Sequence, residues 1–490
     1  MREYVLGVDI GSGSVKLTLL SRDGEIAGSA GCEYPTFYPQ PSFCEQNPED
    51  WCKAFQSALA DLLKKTGAKK EEILSLAPDA ATHTAVLLDE NFRPVRPAIL
   101  WTDQRSKKQV SYLVENHLDL IREKTLNTPT TIWTLPQMMW VKENEPENWQ
   151  KVRHILFAKD YLRFRLTGVL ATDMIDAAGS MFFDVEKNAW SEEICSLFGI
   201  DLSFLPPVLD PASQAGAVTD KAAEEFGLKA GIPVFCGTTD TVMEVLASGS
   251  TLPGHATVKL ATAGRICVIS PEKISSPFIF NYRHVVPGMW YPGTGTASCA
   301  NSYRWYRDVL GREDYAEMDE KAALIPPGCD GLMFHPYLNG ELTPYNDPSL
   351  RGSYVGIGAA HTTAHFTRAT LEGVAFSLRD CLNTLYDLGV EMKRVRIIGG
   401  GAKGLFWRQI VSDVLGLTLE KVKVDDSSFG SALLSAVGLG WYRDYEEAAE
   451  ACVKIDSVTE PKSENRAVYD KAFLKYKKVH DALESIYKEI

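Results

Sequence analysis

A glycine-rich turn near the start of the chain has the residue types that hold phosphate. It follows a strand-like segment, Tyr4 to Ile10, and precedes a second one. Glycines let backbone N–H groups approach a phosphate closely, and neighbouring hydroxyls donate to it. An acid at a strand end can hold Mg²⁺, usually through water. The candidate metal or phosphate acid is Asp9, and the candidate phosphate-loop residues are Gly11, Ser12, Gly13, Ser14 and Lys16. The alternative is an ordinary β-hairpin with a small-residue turn.

A second glycine-rich loop, Gly399-Gly400-Gly401-Ala402, lies between a strand-like segment and a helical one. Three glycines leave room for a flat base or a ribose against the backbone. The alternative is a plain strand-to-helix turn.

A third candidate is a single acid, Asp240, which follows a buried strand-like segment, 231–237. A carboxylate in this place can take a proton from a hydroxyl nucleophile. It can equally be the N-cap of the next helix, for which Asp is well suited.

Several polar clusters can bind a polyhydroxylated ligand, although each alone is more often structural. The clusters are His83 with its neighbours Thr82 and Thr84, the segment Trp101-Thr102-Asp103-Gln104-Arg105, and Lys159-Asp160. The chain has no Walker loop, no G-x-S-x-G nucleophile elbow and no protein-kinase H-R-D set, so those three mechanisms are excluded.

The elements that carry these residues alternate between strand and helix patterns, which predicts an α/β fold in both halves. Predicted strands include 85–88, 257–260 and 395–398, and predicted helices include 53–65 and a long one around 371–385. The glycine- and serine-rich stretch 248–254 predicts a domain boundary.

A short internal repeat relates the two halves of the chain. Residues 8–14 and 258–264 are both a strand entering a small-residue turn and then a second strand. Ser12 and Thr262 occupy equivalent places about half the chain apart. A duplicated β-hairpin, one in each domain, is therefore predicted.

Composition excludes several classes of protein. The 490 residues are 45% hydrophobic and 23% charged, which is typical of a globular chain. The net charge of −13 argues against a nucleic-acid or anionic-membrane partner, because such binding needs clustered Lys and Arg. The ten cysteines lie singly, and we find no export signal or membrane span. A reducing cytoplasm is the expected location, and a homodimer is left open.

Ordered segments along essentially the whole chain resemble the FGGY carbohydrate kinases, in particular their xylulokinase-like branch. The first loop resembles the family's first phosphate loop, Glu45 to Trp51 its E-Q-x-P-x-x-W, and Leu100 to Arg105 its W-x-D-x-R. Later matches, in order and spacing, are Pro336 to Pro344, Arg351-Gly352, Leu371 to Phe376, Gly399 to Ala402, and the Trp407, Gln409, Asp413 and Gly416 pattern.

The resemblance implies a two-domain actin-like ATPase fold, built on ribonuclease-H-like cores with an interdomain active-site cleft. Residues 1–247 would carry the sugar site, the first phosphate loop and the catalytic Asp, and 248–490 the second phosphate loop and the adenosine site. The implied reaction is Mg²⁺- and ATP-dependent phosphorylation of a terminal hydroxyl of a small ketose, with D-xylulose as the expected ketose and D-xylulose 5-phosphate as the product.

The resemblance also assigns roles to residues of this chain. Asp240 would be the general base, Asp9 the Mg²⁺ acid acting through water, and Thr262 a second phosphate contact. The adenosine site would be formed by Gly400, Gly401 and Ala402. The sugar site would consist of Thr82, His83, Trp101, Asp103, Asp240 and Thr241.

Four positions depart from the family pattern: Thr82, Thr241, Ala261 and Leu342 stand where the family has Met, Asn, the first Gly of G-T-S-G and Arg. Two of them, Thr82 and Thr241, fall beside the expected sugar, so a kinase for another ketose, polyol or sugar acid is the main alternative. From a different class, the alternatives are a nucleotide-gated actin-like ATPase without sugar transfer and a sugar sensor that has lost catalysis.

Overall fold

The computed structural model describes residues 2–274 and 276–489, which form two compact units. The described residues of Met1–Thr251, Tyr282–Met289 and Val424–Val453 make up unit 1. Those of Leu252–Asn281, Trp290–Lys423 and Lys454–Ile490 make up unit 2. The domain boundary after residue 247 stays a prediction.

The strands range from two to eight residues. They are β1 (Tyr4–Ile10), β2 (Ser14–Ser21), β3 (Ile26–Glu33), β4 (Glu45–Gln46), β5 (Ile73–Ala80), β6 (Ala85–Leu88), β7 (Ala98–Ile99), β8 (His154–Phe157), β9 (Thr172–Asp173), β10 (Phe183–Asp184), β11 (Ala189–Trp190), β12 (Val208–Leu209), β13 (Gln214–Ala217), β14 (Pro233–Phe235), β15 (Thr238–Thr239), β16 (His255–Leu260), β17 (Gly264–Val268), β18 (Phe280–Arg283), β19 (Trp290–Thr296), β20 (Met333–His335), β21 (Ser353–Val355), β22 (Arg394–Ile398), β23 (Leu419–Val422) and β24 (Ile455–Thr459).

The helices lie between these strands. They are α1 (Pro48–Thr66), α2 (Lys107–Thr125), α3 (Thr134–Asn144), α4 (Pro146–Trp149), α5 (Ala158–Thr167), α6 (Met174–Gly179), α7 (Glu192–Phe198), α8 (Asp220–Phe226), α9 (Asp240–Ala247), α10 (Ala300–Val309), α11 (Tyr315–Ala323), α12 (Thr363–Asp387), α13 (Leu405–Leu415), α14 (Ser427–Gly438), α15 (Tyr445–Cys452) and α16 (Ser463–Tyr487).

The main sheet of unit 1 has the order β13-β14-β5-β1-β2-β3, and β15 also pairs with β5. β1 and β2 form an antiparallel hairpin, whereas β1, β14 and β15 each run parallel to β5. The carboxyl ends of β1, β5 and β15 therefore meet at one edge of the sheet. Ligands of open α/β sheets bind outside the carboxyl ends of the strands.

The sheet of unit 2 repeats this arrangement in its central order, β19-β17-β16-β22-β23-β24. β16 and β17 form an antiparallel hairpin, and β16 runs parallel to β22. The internal repeat at residues 8–14 and 258–264 thus corresponds to two hairpins with the same pairing pattern. The predicted α/β fold in both halves and the predicted hairpin duplication are confirmed.

Helix α1 shows how local signals set the element boundaries. The Asn47 side chain accepts the amide of Glu49 at its start, and Pro48 occupies its first turn. The helix ends at Gly67, which has the left-handed conformation with φ 68°. Its buried face, with Trp51 and Phe55, packs in the core against β2 and β3.

Helix α14 packs unusually close to β1 and to α9. A Cβ at Gly7 would lie 1.8 Å from the carbonyl oxygen of Ser428, and one at Gly430 would lie 2.0 Å from that of Met243. Only glycine permits these two approaches. The close packing brings the amino end of α14, capped by Asp426, to the strand edge where β1 and β5 end.

None of the helices in the described part of the chain is long and apolar enough to cross a bilayer. The ten cysteines are all present as free thiols.

Candidate active site

Three acids meet where parallel strands of unit 1 end. Asp9 on β1 is directly opposite Asp79 on β5, and Asp79 is in turn opposite Thr238 on β15. Asp240 follows β15 immediately and begins α9. The sheet register therefore places three carboxyl groups at one edge, although two of them lie more than 150 residues from the third in sequence.

Asp9 and Asp79 form a buried pair with exposed fractions of 3% and 0%. Burial, reinforced by the charge of Asp426, raises the pKa of Asp9 to about 7, although Lys16 opposes the shift. Burial and the neighbouring Asp9 also raise the pKa of Asp79 well above its usual range. Two negative charges are costly in such a site, so the pair favours holding a proton.

Lys16 is held between two acids at the same edge. Its Nζ lies 2.9 Å from Oδ2 of Asp426 and 3.8 Å from Oδ2 of Asp9. Partial burial lowers the pKa of Lys16, but the Asp426 and Asp9 carboxylates outweigh that effect and raise it above its ordinary value. Lys16 therefore stays cationic, and its side chain is half-exposed beside the first glycine loop.

Asp240 has one engaged and one open carboxylate oxygen. Its Oδ1 accepts hydrogen bonds from the Thr82 hydroxyl at 3.0 Å and from the Thr241 backbone amide at 2.6 Å. No hydrogen bond to Oδ2 exists within residues 2–274 and 276–489. Because the N-cap of α9 is Thr239, Asp240 is the first helical residue and not the cap. An acid with a fixed orientation and one open oxygen has the form that a general base requires.

The first glycine loop presents its tip to solvent. Ser12 and Gly13 are exposed, and a Cβ at Gly13 would meet nothing within 4 Å. Trp101 donates from its Nε1 to the Ser12 hydroxyl at 3.1 Å. A residue predicted to touch sugar thus contacts a residue predicted to touch phosphate.

His83 is buried among aromatic rings. Its Nδ1 lies 2.7 Å from the Gly179 carbonyl and must donate there, because a carbonyl can only accept. Its ring stands 4.4 Å from that of Trp133 and 6.2 Å from that of Tyr282. The backbone at His83 is left-handed, with φ 70°. Such a conformation in a non-glycine residue is often found at functional sites.

Asp103 is buried and bound to protein partners on both oxygens. Arg105 donates to Oδ1 and Oδ2 at 2.8–3.0 Å, and the Cys44 amide donates to Oδ2 at 2.6 Å. This pairing orders the segment that carries Trp101. The predicted contact of Asp103 with a sugar stays a prediction.

Lys159 and Asp160 lie in a fully buried ion network rather than on a ligand surface. Lys159 Nζ contacts Asp160 at 2.5 Å, Asp173 at 2.9 Å and Asp176 at 3.3 Å. Asp173 also accepts from the hydroxyl of Thr238, which is two residues before Asp240. The complete burial and pairing of both side chains favour a structural role for this pair over direct contact with a polyhydroxylated ligand. The pair supports the strand before Asp240.

In unit 2, the second hairpin and the second glycine loop adjoin one another. Thr262 is exposed in the turn between β16 and β17, and the Gly399–Ala402 loop follows β22, the parallel neighbour of β16. A Cβ at Gly401 would lie 2.6 Å from the Trp407 ring, whereas one at Gly400 would meet nothing within 4 Å. Ala402 is buried. Gly401 is therefore required by packing, and Gly400 faces open space.

Two acids of this edge, Asp79 and Asp426, were not among the residues predicted from sequence. Asp426 had a usable signal, since it directly precedes the serines that start an apolar helix. Asp79 lies near the end of a buried strand, as Asp9 does, but a proline at position 78 is untypical of a central strand and hides that signal.

Comparisons with known proteins agree with this geometry. The model of the "FGGY family of carbohydrate kinases, N-terminal domain" matches residues 4–247, and that of the C-terminal domain matches 235–439. A xylulose kinase of Bacillus subtilis (strain 168) is 32% identical over 98% of this chain and 97% of that protein. The chain belongs to the FGGY family of carbohydrate kinases.

Two further comparisons cover almost the whole length. A xylulose kinase of Lactococcus lactis subsp. lactis (strain IL1403) is 33% identical over 97% of this chain and 96% of that protein. The crystal structure of a xylulose kinase from Rhodospirillum rubrum superposes with a TM-score of 0.91 at 27% identity, covering 99% of this chain and all of that one.

Membership of the family confirms several predictions. The protein is a carbohydrate kinase, with a sugar and ATP as its substrates, and it has the two-domain α/β actin-like ATPase fold. A nucleotide-gated ATPase without sugar transfer is not supported, because the matching family consists of kinases.

Proposed function

We propose that this carbohydrate kinase transfers the γ-phosphoryl group of MgATP to the terminal hydroxyl of D-xylulose, giving D-xylulose 5-phosphate. The observation that carries the proposal is the open Oδ2 of Asp240 beside the phosphate-loop edge of unit 1. The sugar assignment is supported by the xylulose kinases that match over nearly the whole chain.

The chemical step needs one proton acceptor. Oδ2 of Asp240 takes the proton of the terminal sugar hydroxyl. The hydroxyl oxygen forms a bond to the γ-phosphorus of ATP, and the bond from that phosphorus to the bridging oxygen breaks and releases ADP. Thr82 and Thr241 donate to Oδ1 and so keep Oδ2 turned to the substrate. Most of the catalysis is then positioning and charge stabilisation.

Nucleotide phosphates are proposed to bind the N–H groups and hydroxyls of residues 11–14, with Lys16 supplying positive charge. Thr262 is proposed to contact phosphate from unit 2, and Gly400, Gly401 and Ala402 to receive the adenosine. The open space over Gly400 and the exposure of Thr262 support these roles.

The residues of unit 1 fit a Mg²⁺ ion held through water. Oδ1 of Asp9 is buried and has no hydrogen-bond partner among the described residues. Within 2–274 and 276–489 no cluster of three or more His, Cys, Asp or Glu side chains is arranged to hold a metal. A cation there would take most of its ligands from water and phosphate oxygens, as Mg²⁺ commonly does. When bound, it neutralises developing phosphate charge.

We expect D-xylulose to stimulate Mg²⁺-dependent ADP release strongly. The bound sugar supplies a positioned hydroxyl nucleophile, and water is a much poorer acceptor of the phosphoryl group. The measurement is a coupled ADP assay with D-xylulose, D-ribulose, xylitol, glycerol, gluconate and a no-sugar control. Stimulation by another compound of the panel would change the assigned substrate and leave the proposed mechanism unchanged. A rate that ignores every compound would contradict the proposed function.

A further inference from the structure

The segment Glu45 to Trp51 matches the E-Q-x-P-x-x-W motif of the family, and none of its residues takes part in the proposed chemical step. Gln46, which is 1% exposed, donates from its Nε2 to the Ser12 carbonyl at 2.8 Å and to the Thr36 hydroxyl at 2.8 Å. The Trp51 ring donates from Nε1 to Oε1 of Gln46 at 3.0 Å. Because a side-chain amide can be placed either way round, the Trp51 donor decides that the NH₂ end of Gln46 faces the loop.

A second residue, Tyr34, holds the loop carbonyls on either side of Ser12. The Tyr34 hydroxyl donates to the Gly11 carbonyl, and the Tyr34 backbone amide donates to the Gly13 carbonyl at 3.2 Å. Three successive carbonyls of the first loop are therefore held by donors from outside the hairpin.

Holding a carbonyl also aims the next N–H group. In a planar trans peptide, the C=O of one residue and the N–H of the next point in opposite directions. With the carbonyls of residues 11–13 turned towards Tyr34 and Gln46, the N–H groups of residues 12–14 point away from those side chains. Successive N–H groups presented together form an anion-binding concavity.

The second hairpin shows the same arrangement by different means. The Cys299 amide donates to the Thr262 carbonyl at 2.9 Å, and the Ala300 amide donates to the Ala261 carbonyl at 2.8 Å. There the donors are main-chain groups at the start of α10. In both hairpins, donors from outside the hairpin form hydrogen bonds to the carbonyls of the turn. This shared arrangement indicates that the contacts in the first hairpin orient its turn.

We propose that Gln46, oriented by Trp51, and Tyr34 are positioning residues that aim the N–H groups of residues 12–14 at the nucleotide phosphates. This inference rests on the proposed function, because it assumes that the first loop binds phosphate. It gives the E-Q-x-P-x-x-W motif of this chain a physical role: Gln46 supplies the donor, Trp51 fixes its orientation, and Pro48 begins the helix that holds Trp51.

The test variant is Gln46→Glu, which keeps the oxygen that Trp51 binds and replaces the NH₂ donor with a second oxygen. Losing a buried donor of this kind predicts a dissociation constant for MgADP that rises about 10-fold, measured by isothermal titration calorimetry. The KM for ATP rises similarly, while the KM for the sugar changes less than about 2-fold. The matched control is Gln56→Glu on the exposed face of α1, which keeps wild-type affinity.

Two further variants separate positioning from loss of folding. Tyr34→Phe removes only the hydroxyl that holds Gly11 and weakens MgADP binding about 3-fold, so the proposal stays testable if Gln46→Glu does not fold. Trp51→Phe removes the indole donor together with part of a buried ring, and combining it with Gln46→Glu weakens MgADP binding no further than Gln46→Glu alone.

The outcomes distinguish the inference from the proposed function. If the wild-type protein phosphorylates sugar but Gln46→Glu and Tyr34→Phe both bind MgADP within about 2-fold of wild type, the inference is wrong and the proposed function stands. An equal rise in the sugar and ATP KM values would also overturn it, because that pattern indicates general disruption. If the wild-type protein neither binds MgADP nor phosphorylates any sugar, both fail.

Discussion

Replacing Asp240 with Asn lowers kcat by about 10²–10⁴-fold, because the amide cannot take the proton of the attacking hydroxyl. The amide oxygen still accepts from Thr82 and Thr241, so the local geometry is kept. We therefore expect the KM values for sugar and ATP to change far less than kcat. Steady-state kinetics of ADP release with D-xylulose measure all three constants.

Asp220→Asn is the matched control for this substitution. Asp220 is also the first residue of a helix, α8, and it also follows a threonine N-cap, but it is exposed and lies away from the strand edge. Its variant is expected to keep wild-type kinetics. Near-full turnover by Asp240→Asn would show that another group takes the proton.

The second large effect concerns Asp9, for which we expect activity and stability to change in opposite directions. Asp9→Asn lowers kcat by about 10²-fold or more, because it removes the carboxylate proposed to orient the metal and phosphates. The same change relieves the cost of a buried charge next to Asp79 and Asp426. The variant is therefore expected to be more stable than the wild-type protein above neutral pH.

The direction of this stability difference follows from the pKa of Asp9, which burial raises from 3.8 to about 7. A raised carboxyl pKa favours the protonated form in the folded state. Its contribution to stability is fully present below the unfolded pKa near 4 and is lost as the pH rises through about 7. The asparagine, which never ionises, avoids that loss, so the variant gains about 2–4 kcal/mol over wild type at pH 8.

Thermal unfolding of both proteins between pH 5 and 9, without nucleotide or metal, measures this difference. The Tm advantage of Asp9→Asn grows from pH 5 to about pH 8 and then levels off, because Asp9 is ionised in both the folded and the unfolded wild-type protein above its folded pKa of about 7. Asp220→Asn follows the wild-type curve throughout. A variant that is less stable at pH 8, or one that keeps its activity, would contradict the role given to Asp9.

Much of the fold could be predicted from sequence because its signals are local. The strand-like segments on either side of the first glycine-rich turn correspond to β1 and β2, and the helix predicted at 53–65 lies within α1. The duplicated hairpin could be predicted because the strand-turn-strand pattern is contained within seven residues at 8–14 and again at 258–264.

The contacts that build the site could not be predicted in the same way. The bonds from Gln46 and Trp101 to Ser12 join residues 34 and 89 positions apart, and no local pattern states which polar groups meet. Asp103 has the residue type expected of a sugar ligand, but its pairing with Arg105 and Cys44 depends on tertiary packing. Single-residue chemistry suggested candidates, and the sheet register determined which of them converge.

The central claim is that the phosphoryl group of ATP goes to a sugar hydroxyl and not to water. Phosphorus NMR of the protein with ATP, Mg²⁺ and D-xylulose tests it most directly. We expect a new phosphomonoester signal, coupled to the protons on carbon 5 of the sugar, that grows in step with ADP. Growth of inorganic phosphate with ADP and no sugar phosphate signal would contradict the account.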